Sequence, residues 1–193
     1  MTLSLDITTN YTEDIDLKIT IFDISIKAYL DEESFEENIE GEDPIEIGKL
    51  RAYRINLSYD SLDLVTTADC LERDLFRFTE FFHLSVLDDP DYFPASYLFY
   101  LASISIEPKY RGSDYGLQAL AIFLELFAQG QMVGCHPVPM KDIEDKHPEE
   151  KGKLLMRKYW SKLGLKNYES SQNILWTDDW ELPDWLRTKV FKD

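Results

Sequence analysis

The chain has 193 residues, 44% of them hydrophobic and 30% charged, a composition typical of a folded globular domain rather than a disordered segment. Its 37 acidic residues outnumber its 20 basic ones, which gives a formal net charge of −17. Because this charge repels phosphate backbones and anionic lipid surfaces, we expect neither a nucleic-acid partner nor a membrane partner.

The acidity belongs almost wholly to the first half of the chain. Residues 1–100 carry 23 acidic and 7 basic side chains, whereas residues 101–193 carry 14 and 13. A chain of this length is predicted to form a single domain over residues 1–193. The asymmetry suggests that the two halves of this domain serve different purposes.

The cysteine count and the absence of long apolar stretches bear on the compartment. Cys70 and Cys135 are too few for a disulfide scaffold, and they lack the paired spacing of a metal knuckle. The chain starts without a basic region followed by an apolar run, and its charge-free stretches fall short of the roughly 20 residues that a spanning helix needs. We therefore expect a soluble, cytoplasmic protein with free thiols.

In the first half, two strands flank an acidic segment. Alternating apolar and polar residues predict a strand over Leu17–Tyr29 and a second strand, its hairpin partner, over Ile47–Leu57. Residues 31–46 between them are densely acidic and contain Gly41 and Pro44, which indicates a loop.

Further along, helices and strands alternate. Thr66 and Asp69 fit a capping box and predict the start of a helix over 67–83. The apolar segment Tyr97–Ile106 is typical of a central strand that is buried on both faces. The remaining pattern predicts a helix over 113–128, a strand over 132–135, a helix over 149–163 and short strands over 166–168 and 173–176. This order predicts an α/β (α+β) fold with a mixed central sheet flanked by helices.

One segment, Ile104–Leu120 (ISIEPKYRGSDYGLQAL), combines the end of a buried strand, a glycine-containing turn and a helix. Such a turn directs several backbone N–H groups and the positive end of the helix dipole at one point. Gly112 and Gly116 let the backbone approach a ligand closely, and Arg111 adds a cation. The segment therefore predicts a phosphate-binding site.

This segment resembles the acetyl-CoA-binding signature of the GNAT superfamily of N-acetyltransferases, approximately V-x-P-x-[YF]-R-G-x-G-x-G-x-x-L. The matching residues are Ile106, Pro108, Tyr110, Arg111, Gly112, Gly116 and Leu120. Farther along, Tyr159–Leu165 (YWSKLGL) looks like the family's Y-x-x-x-G-F element, and the order of elements over 47–176 is similar. The resemblance implies a GNAT-like fold.

The resemblance also implies an activity, the transfer of acetyl from acetyl-CoA to an amine of a small molecule or a protein by direct attack, without a metal. The backbone of Ile104, Ser105 and Ile106 would then hydrogen-bond the pantetheine arm. The amides of the turn would hold the pyrophosphate, from Arg111, Gly112, Ser113, Asp114, Tyr115 and Gly116. Residues 101–176 would form the CoA-binding core, with nearby cations at Lys109, Lys151, Lys153, Arg157 and Lys158, and the acidic residues 17–100 would attract a cationic amine.

Two residues depart from the family pattern. Asp114 replaces the middle glycine, and at about 6 Å from a pyrophosphate its carboxylate would cost roughly 1–3 kcal/mol per charge pair. An acidic residue there is also explained as a helix cap. Trp160 stands where the family has a proton-donating tyrosine, so the adjacent Tyr159 is the candidate acid, with an ordinary buried tyrosine as the alternative.

Several alternatives stay open at this point. Cys135 and His136 lie where the reacting thioester is expected, but adjacent residues on a strand point to opposite faces and do not readily share a proton. Asp114 and Trp160 favour a catalytically inactive GNAT-fold binding or interaction module as the alternative function. A nucleotide-binding site is a weaker hypothesis, because the G-x-x-x-x-G-K-[ST] run is missing. The sequence leaves open the acceptor, the general base, and whether the chain is a monomer or a homodimer.

Overall fold

The computed structural model describes residues 2–10, 18–29, 43–85, 95–139 and 148–191. The strands are β1 (Thr2–Asn10), β2 (Ile19–Tyr29), β3 (Ile45–Asn56), β4 (Tyr97–Ile106), β5 (Met132–Cys135), β6 (Asn167–Glu169) and β7 (Ile174–Thr177). The helices are α1 (Ser61–Leu71), α2 (Arg73–Ser85), α3 (Tyr115–Phe127), α4 (Glu149–Ser161) and α5 (Asp184–Val190), with a 3₁₀ turn over Pro108–Tyr110.

The strands form one mixed sheet in the order β1-β2-β3-β4-β5-β7-β6. The pairs from β1 to β4 are antiparallel, β4 and β5 are parallel, and β7 is antiparallel to both β5 and β6. Strands from the acidic half and from the near-neutral half of the chain thus share one sheet. The predicted fold class, α+β with a mixed central sheet flanked by helices, is confirmed.

The two faces of the sheet carry separate hydrophobic cores. On the face that we call the first, Phe22 and Ile24 of β2 belong to the same buried cluster as side chains of α3, α4 and α5. On the second face, Ile19 and Tyr53 are buried together with side chains of α1 and α2. The period-two alternation in β2 and β3 is the sequence signal that divides side chains between the two faces.

The predicted helix over 67–83 is wrong in its start and in its continuity. The helix begins earlier, at Ser61, where the Asp60 carboxylate accepts a hydrogen bond from the Leu62 N–H at 2.9 Å. Thr66 lies inside α1, and its hydroxyl donates to the Leu62 carbonyl rather than capping a helix. Glu72 is extended and separates α1 from α2, and the Tyr53 hydroxyl donates to its carboxylate at 2.6 Å. A contact with β3 therefore accompanies the break in the helix, and local periodicity does not reveal it.

Two elements, β1 and α5, were not predicted from the sequence. β1 has apolar Leu3, Leu5 and Ile7 at alternate positions, packed against the core of the first face, and this period-two signal could have predicted the strand. α5 has only seven residues, so its periodic signal is weak. Most of the predicted acidic loop, residues 31–42, lies outside the described residues. Ile45 and Glu46, at the end of that predicted loop, begin β3 instead.

In the described ranges, no helix is long and apolar enough to cross a membrane. The same part of the chain contains no group of three or more histidine, cysteine, aspartate or glutamate side chains arranged to hold a metal ion.

Candidate functional site

β4 and β5 run side by side and then separate. Leu98–Leu101 pair in parallel with Met132–Cys135, after which β5 ends while β4 continues to Ile106. On its other edge, β4 stays paired with β3 as far as Gly48 and Ile106. Within the described ranges, no strand pairs with the β5-facing edge of β4 beyond Leu101. That edge is available to the hydrogen-bonding groups of an extended ligand.

A cavity of about 340 Å³ lies beside this edge on the first face, between β4, α3 and α4. Seven of the nine residues predicted to bind the cofactor line it, namely Ile104, Ile106, Arg111, Gly112, Asp114, Tyr115 and Gly116. Leu155, Met156 and Tyr159 of α4 form another part of its wall. The cavity therefore joins a polar turn to an apolar channel along β4.

The turn between β4 and α3, residues 107–114, is held by side-chain and backbone features. The Arg111 Nε donates a hydrogen bond to the Ile106 carbonyl at 2.7 Å, which anchors the turn to the end of β4. Gly112 and Asp114 both adopt left-handed conformations, with φ of 92° and 59°. Glycine takes this conformation without strain, and aspartate is among the few other residues that tolerate it.

The carboxylate of Asp114 is neutralised by two lysines that are distant in sequence. Its Oδ2 lies 2.6 Å from the Nζ of Lys189 on α5, and its Oδ1 lies 3.7 Å from the Nζ of Lys162, which follows α4. The hydrogen bond from Lys189 is the main cause of the lowered pKa of Asp114, so this carboxylate is ionised. Asp114 is the N-cap residue of α3, as predicted. Its side chain makes no capping hydrogen bond, however, because the carboxylate contacts the two lysines instead.

The Tyr159 side chain extends from α4 across the cavity to Gly116 on α3. A Cβ atom at Gly116 would lie only 2.6 Å from the Tyr159 hydroxyl oxygen, so this close approach requires glycine. Burial, with a smaller contribution from Asp114, raises the pKa of Tyr159 to about 12. Its hydroxyl therefore keeps its proton throughout the neutral pH range. Trp160 points away from this contact and is buried in the core of the first face.

We expect Gly116→Ala to destabilise the fold by about 1–3 kcal/mol, because the added methyl group overpacks against the Tyr159 hydroxyl. Adding Tyr159→Phe to this variant removes that oxygen and leaves the Ile104 Cδ1, at 3.3 Å, as the nearest contact. Chemical denaturation of wild type, both single variants and the double variant measures the coupling free energy. Additive effects of the two substitutions would show that Gly116 and Tyr159 are not in this contact.

The second face of the same β4 segment carries a shallow polar groove of about 390 Å³. Ser103 and Ser105 line it together with charged residues of the neighbouring strands, and the Arg51 Nε donates to the Asp23 carboxylate at 2.7 Å. Glu46 also lines the groove and accepts a hydrogen bond from Ser25. Because the Ser105 side chain faces this groove, only its backbone can serve a ligand in the cavity on the first face.

A partly buried histidine lies at the separation of β4 and β5 on the second face. His136 directly follows β5, and its Nδ1 lies 3.2 Å from the Tyr100 hydroxyl oxygen. Burial is the main cause of the lowered pKa of His136, while Asp74 raises it and Arg77 lowers it further. Cys135 is fully buried in the core of the first face, and burial raises the pKa of its thiol. The two residues therefore lie on opposite faces, as predicted.

The turn is predicted more accurately from the sequence than the cations that lie near it. Lys109 pairs with Glu107 at 3.4 Å, and Lys153 pairs with Glu149 at 2.6 Å, so acidic neighbours already offset these two charges. Ser113 does not line the cavity, and its carbonyl accepts a hydrogen bond from the Gln118 side chain. Lys162 and Lys189 were missed, because they reach the turn only through the packing of α4 and α5.

Comparison of the chain with protein-family models, with curated proteins and with solved structures finds no match.

Proposed function

We propose that the chain is an acyl-CoA-dependent N-acyltransferase that transfers acetyl from acetyl-CoA to an amine. The observation that carries this proposal is the cavity along the unpaired edge of β4, which has the glycine turn at one end and the Tyr159 hydroxyl in its wall. The short GNAT-like signature of residues 106–120 lines much of this cavity, so motif and geometry support the same function.

The residues of the cavity fit the chemical parts of such a donor. An arm with alternating amide and methylene groups can pair with the backbone edge of β4 while its methylenes contact Ile104, Leu155 and Met156. Backbone N–H groups at the start of α3 suit a pyrophosphate, and Gly112 leaves open space there, since a Cβ at this position would contact nothing within 4 Å. When bound, acetyl-CoA would supply an acyl group that is activated as a thioester.

Tyr159, the predicted acid, is instead the proposed hydrogen-bond donor to a phosphate of acetyl-CoA, because its hydroxyl lies against Gly116 at the turn that is assigned to the pyrophosphate. This hydroxyl makes no hydrogen bond to any other part of the chain that the structure describes, which leaves it available to a bound group. Its raised pKa keeps the proton at Oη at neutral pH, while the thioester would lie at the other end of the pantetheine arm, where the departing thiolate would take up a proton from water. Trp160, the residue at the family's usual position, is buried elsewhere and has no part in this proposal.

His136 is the proposed general base, which would take the proton of the attacking amine. It stands at the separation of β4 and β5 on the second face, which is opposite the cavity. The polar groove on that face is lined by the acidic Asp6, Asp23 and Glu46 and by the basic Lys49 and Arg51, and this excess of negative charge would attract a cationic amine. An acceptor in the groove would thus approach a donor held on the other side of the same strand.

We expect the turnover number to rise with pH and to level off by about pH 7, because a general base acts in its unprotonated form. The plateau comes early since burial lowers the pKa of His136 from its ordinary value of 6.5, against the opposing effect of Asp74. A pH profile at saturating substrate, repeated with His136→Asn, checks this expectation. If the variant keeps the turnover number and the profile of the wild type, His136 is not the base.

Incubation with acetyl-CoA and a broad panel of amines, with free CoA thiol as the readout, tests the proposed function. Steady release of thiol that depends on the amine supports acyl transfer. Saturable binding of acetyl-CoA without thiol release from any amine would instead favour a catalytically inactive binding module.

A further inference from the structure

Three charged side chains that we call the lysine latch meet beside the turn between β4 and α3, namely Lys162, Lys189 and Asp114. The Asp114 carboxylate bridges the two ammonium groups, at 2.6 Å from Lys189 and 3.7 Å from Lys162. Asp114 also lines the cavity, so the bridge lies at the turn where an anionic ligand would bind. The cluster is a pair of cations whose counter-ion is part of the protein.

The lysines are held in place by contacts that do not depend on Asp114. Trp185 of α5 donates a hydrogen bond from its Nε1 to the Lys162 carbonyl at 3.0 Å, which fixes α5 against the end of α4. Both ammonium groups lie over the Trp185 ring, with Nζ at 6.0 Å from its centroid for Lys162 and 5.4 Å for Lys189. Leu186, the next residue, is fully buried, so α5 is firmly docked. Removal of Asp114 should therefore leave the two lysines near the turn.

The bridge itself is weakly held. The side chains of Lys162 and Lys189 are 53% and 43% exposed, and surface ion pairs of this kind contribute little to stability because water screens them. A phosphate group carries more charge than one carboxylate and accepts several charge-assisted hydrogen bonds. Such a group at the turn would therefore displace the Asp114 carboxylate as the partner of the lysines.

We propose that Lys162 and Lys189 form a phosphate subsite that Asp114 occupies in the free protein and releases when a phosphate-bearing ligand binds. The proposal rests on the proposed function for the identity of that ligand, a CoA thioester, although the subsite would accept other phosphate esters. It assigns the Asp114 carboxylate a role as an internal competitor for phosphate, in place of a side-chain cap or a sign of a decayed site. The ligand then gains two cations, and the carboxylate is turned away from it.

The variant Asp114→Asn tests the latch with little risk to the fold, because asparagine also tolerates the left-handed conformation at this position. We expect it to bind acetyl-CoA about tenfold more tightly than wild type, since the competing charge is gone. The control Glu181→Gln removes one negative charge from an exposed position near α5, and its affinity should stay within about twofold of wild type. An equal gain in both variants would overturn the proposal, because the effect would then come from net charge alone.

Removal of the two lysines should have the opposite effect on acetyl-CoA affinity. We expect Lys162→Ala with Lys189→Ala to weaken acetyl-CoA binding about tenfold and to reduce its dependence on salt. Lys166→Ala removes a cation at an exposed site without a contact to Asp114 and serves as the control. Acetyl-pantetheine has no phosphate, so its affinity should change in none of these variants. Parallel losses for both ligands would mean that the lysines support the fold rather than bind phosphate.

Titration with inorganic pyrophosphate separates the latch from the acyltransferase function. Tighter pyrophosphate binding by Asp114→Asn than by wild type supports the subsite even if no amine is acetylated. Pyrophosphate and acetyl-CoA affinities that are unchanged by Asp114→Asn would overturn the latch while leaving the proposed acyl transfer untouched. Failure of both proteins to bind either ligand would overturn the latch and the proposed function together.

Discussion

Replacement of Tyr159 by phenylalanine is expected to weaken acetyl-CoA binding about tenfold, with the turnover number within about twofold of wild type. The substitution removes only the hydroxyl that faces the cavity, and the ring keeps its packing against Trp160. Loss of a hydrogen bond to the phosphates affects the binding of acetyl-CoA and not the chemical step. Steady-state kinetics and calorimetry on the same preparations separate the two effects.

The matched control is Tyr168→Phe, since Tyr168 also lies close to α4 and its hydroxyl donates to the Asn173 side chain outside the cavity. This control should retain the acetyl-CoA affinity of wild type within about twofold. Because the pKa of Tyr159 is raised to about 12, the wild-type affinity should show no loss from ionisation of this tyrosine below about pH 11. An unchanged acetyl-CoA affinity of Tyr159→Phe would show that this hydroxyl does not contact the phosphates.

Leu155→Trp is expected to weaken acetyl-CoA binding by more than about tenfold, because the larger ring would fill the apolar part of the cavity. Leu155 is 38% exposed on α4, so the fold should accommodate the substitution with little loss of stability. Calorimetric titration gives the affinity, and thermal unfolding of the free protein shows whether the fold is retained.

Its neighbour Leu154 provides a closely matched control. Leu154 is 40% exposed on the same helix and does not line the cavity, so Leu154→Trp adds the same side chain at a site away from the ligand. We expect its affinity to stay within about twofold of wild type. Equal losses in both variants would show that the cavity between β4 and α4 is not the binding site.

The turn and its surroundings could be predicted because their signals are local. A buried apolar strand, a glycine-containing turn and an amphipathic helix follow one another within Ile104–Leu120, and seven of the nine predicted binding residues line one cavity. The strand alternation in β2 and β3 and the fold class were likewise predictable, because period-two patterns decide which face of a sheet is buried.

The parts that sequence analysis missed depend on contacts between distant segments. Asp114 and Lys189 are 75 residues apart, and they meet because Trp185 and Leu186 dock α5 against α4 and the core. The break at Glu72 similarly involves Tyr53 on β3. Periodicity and capping motifs report neighbours along the chain, so they do not predict either contact. Sequence analysis therefore overestimates the electrostatic cost of the Asp114 carboxylate to phosphate binding, because it does not reveal the two lysines that neutralise this carboxylate in the fold.

The proposed binding of an acyl-CoA in the cavity beside the unpaired edge of β4 is best tested by titration of the wild-type protein with acetyl-CoA in an isothermal calorimeter. We expect saturable binding of one molecule per chain, with a Kd in the micromolar range that is typical of enzyme substrates. Absence of measurable heat, together with no thermal stabilisation at millimolar acetyl-CoA, would show that this cavity does not bind acetyl-CoA.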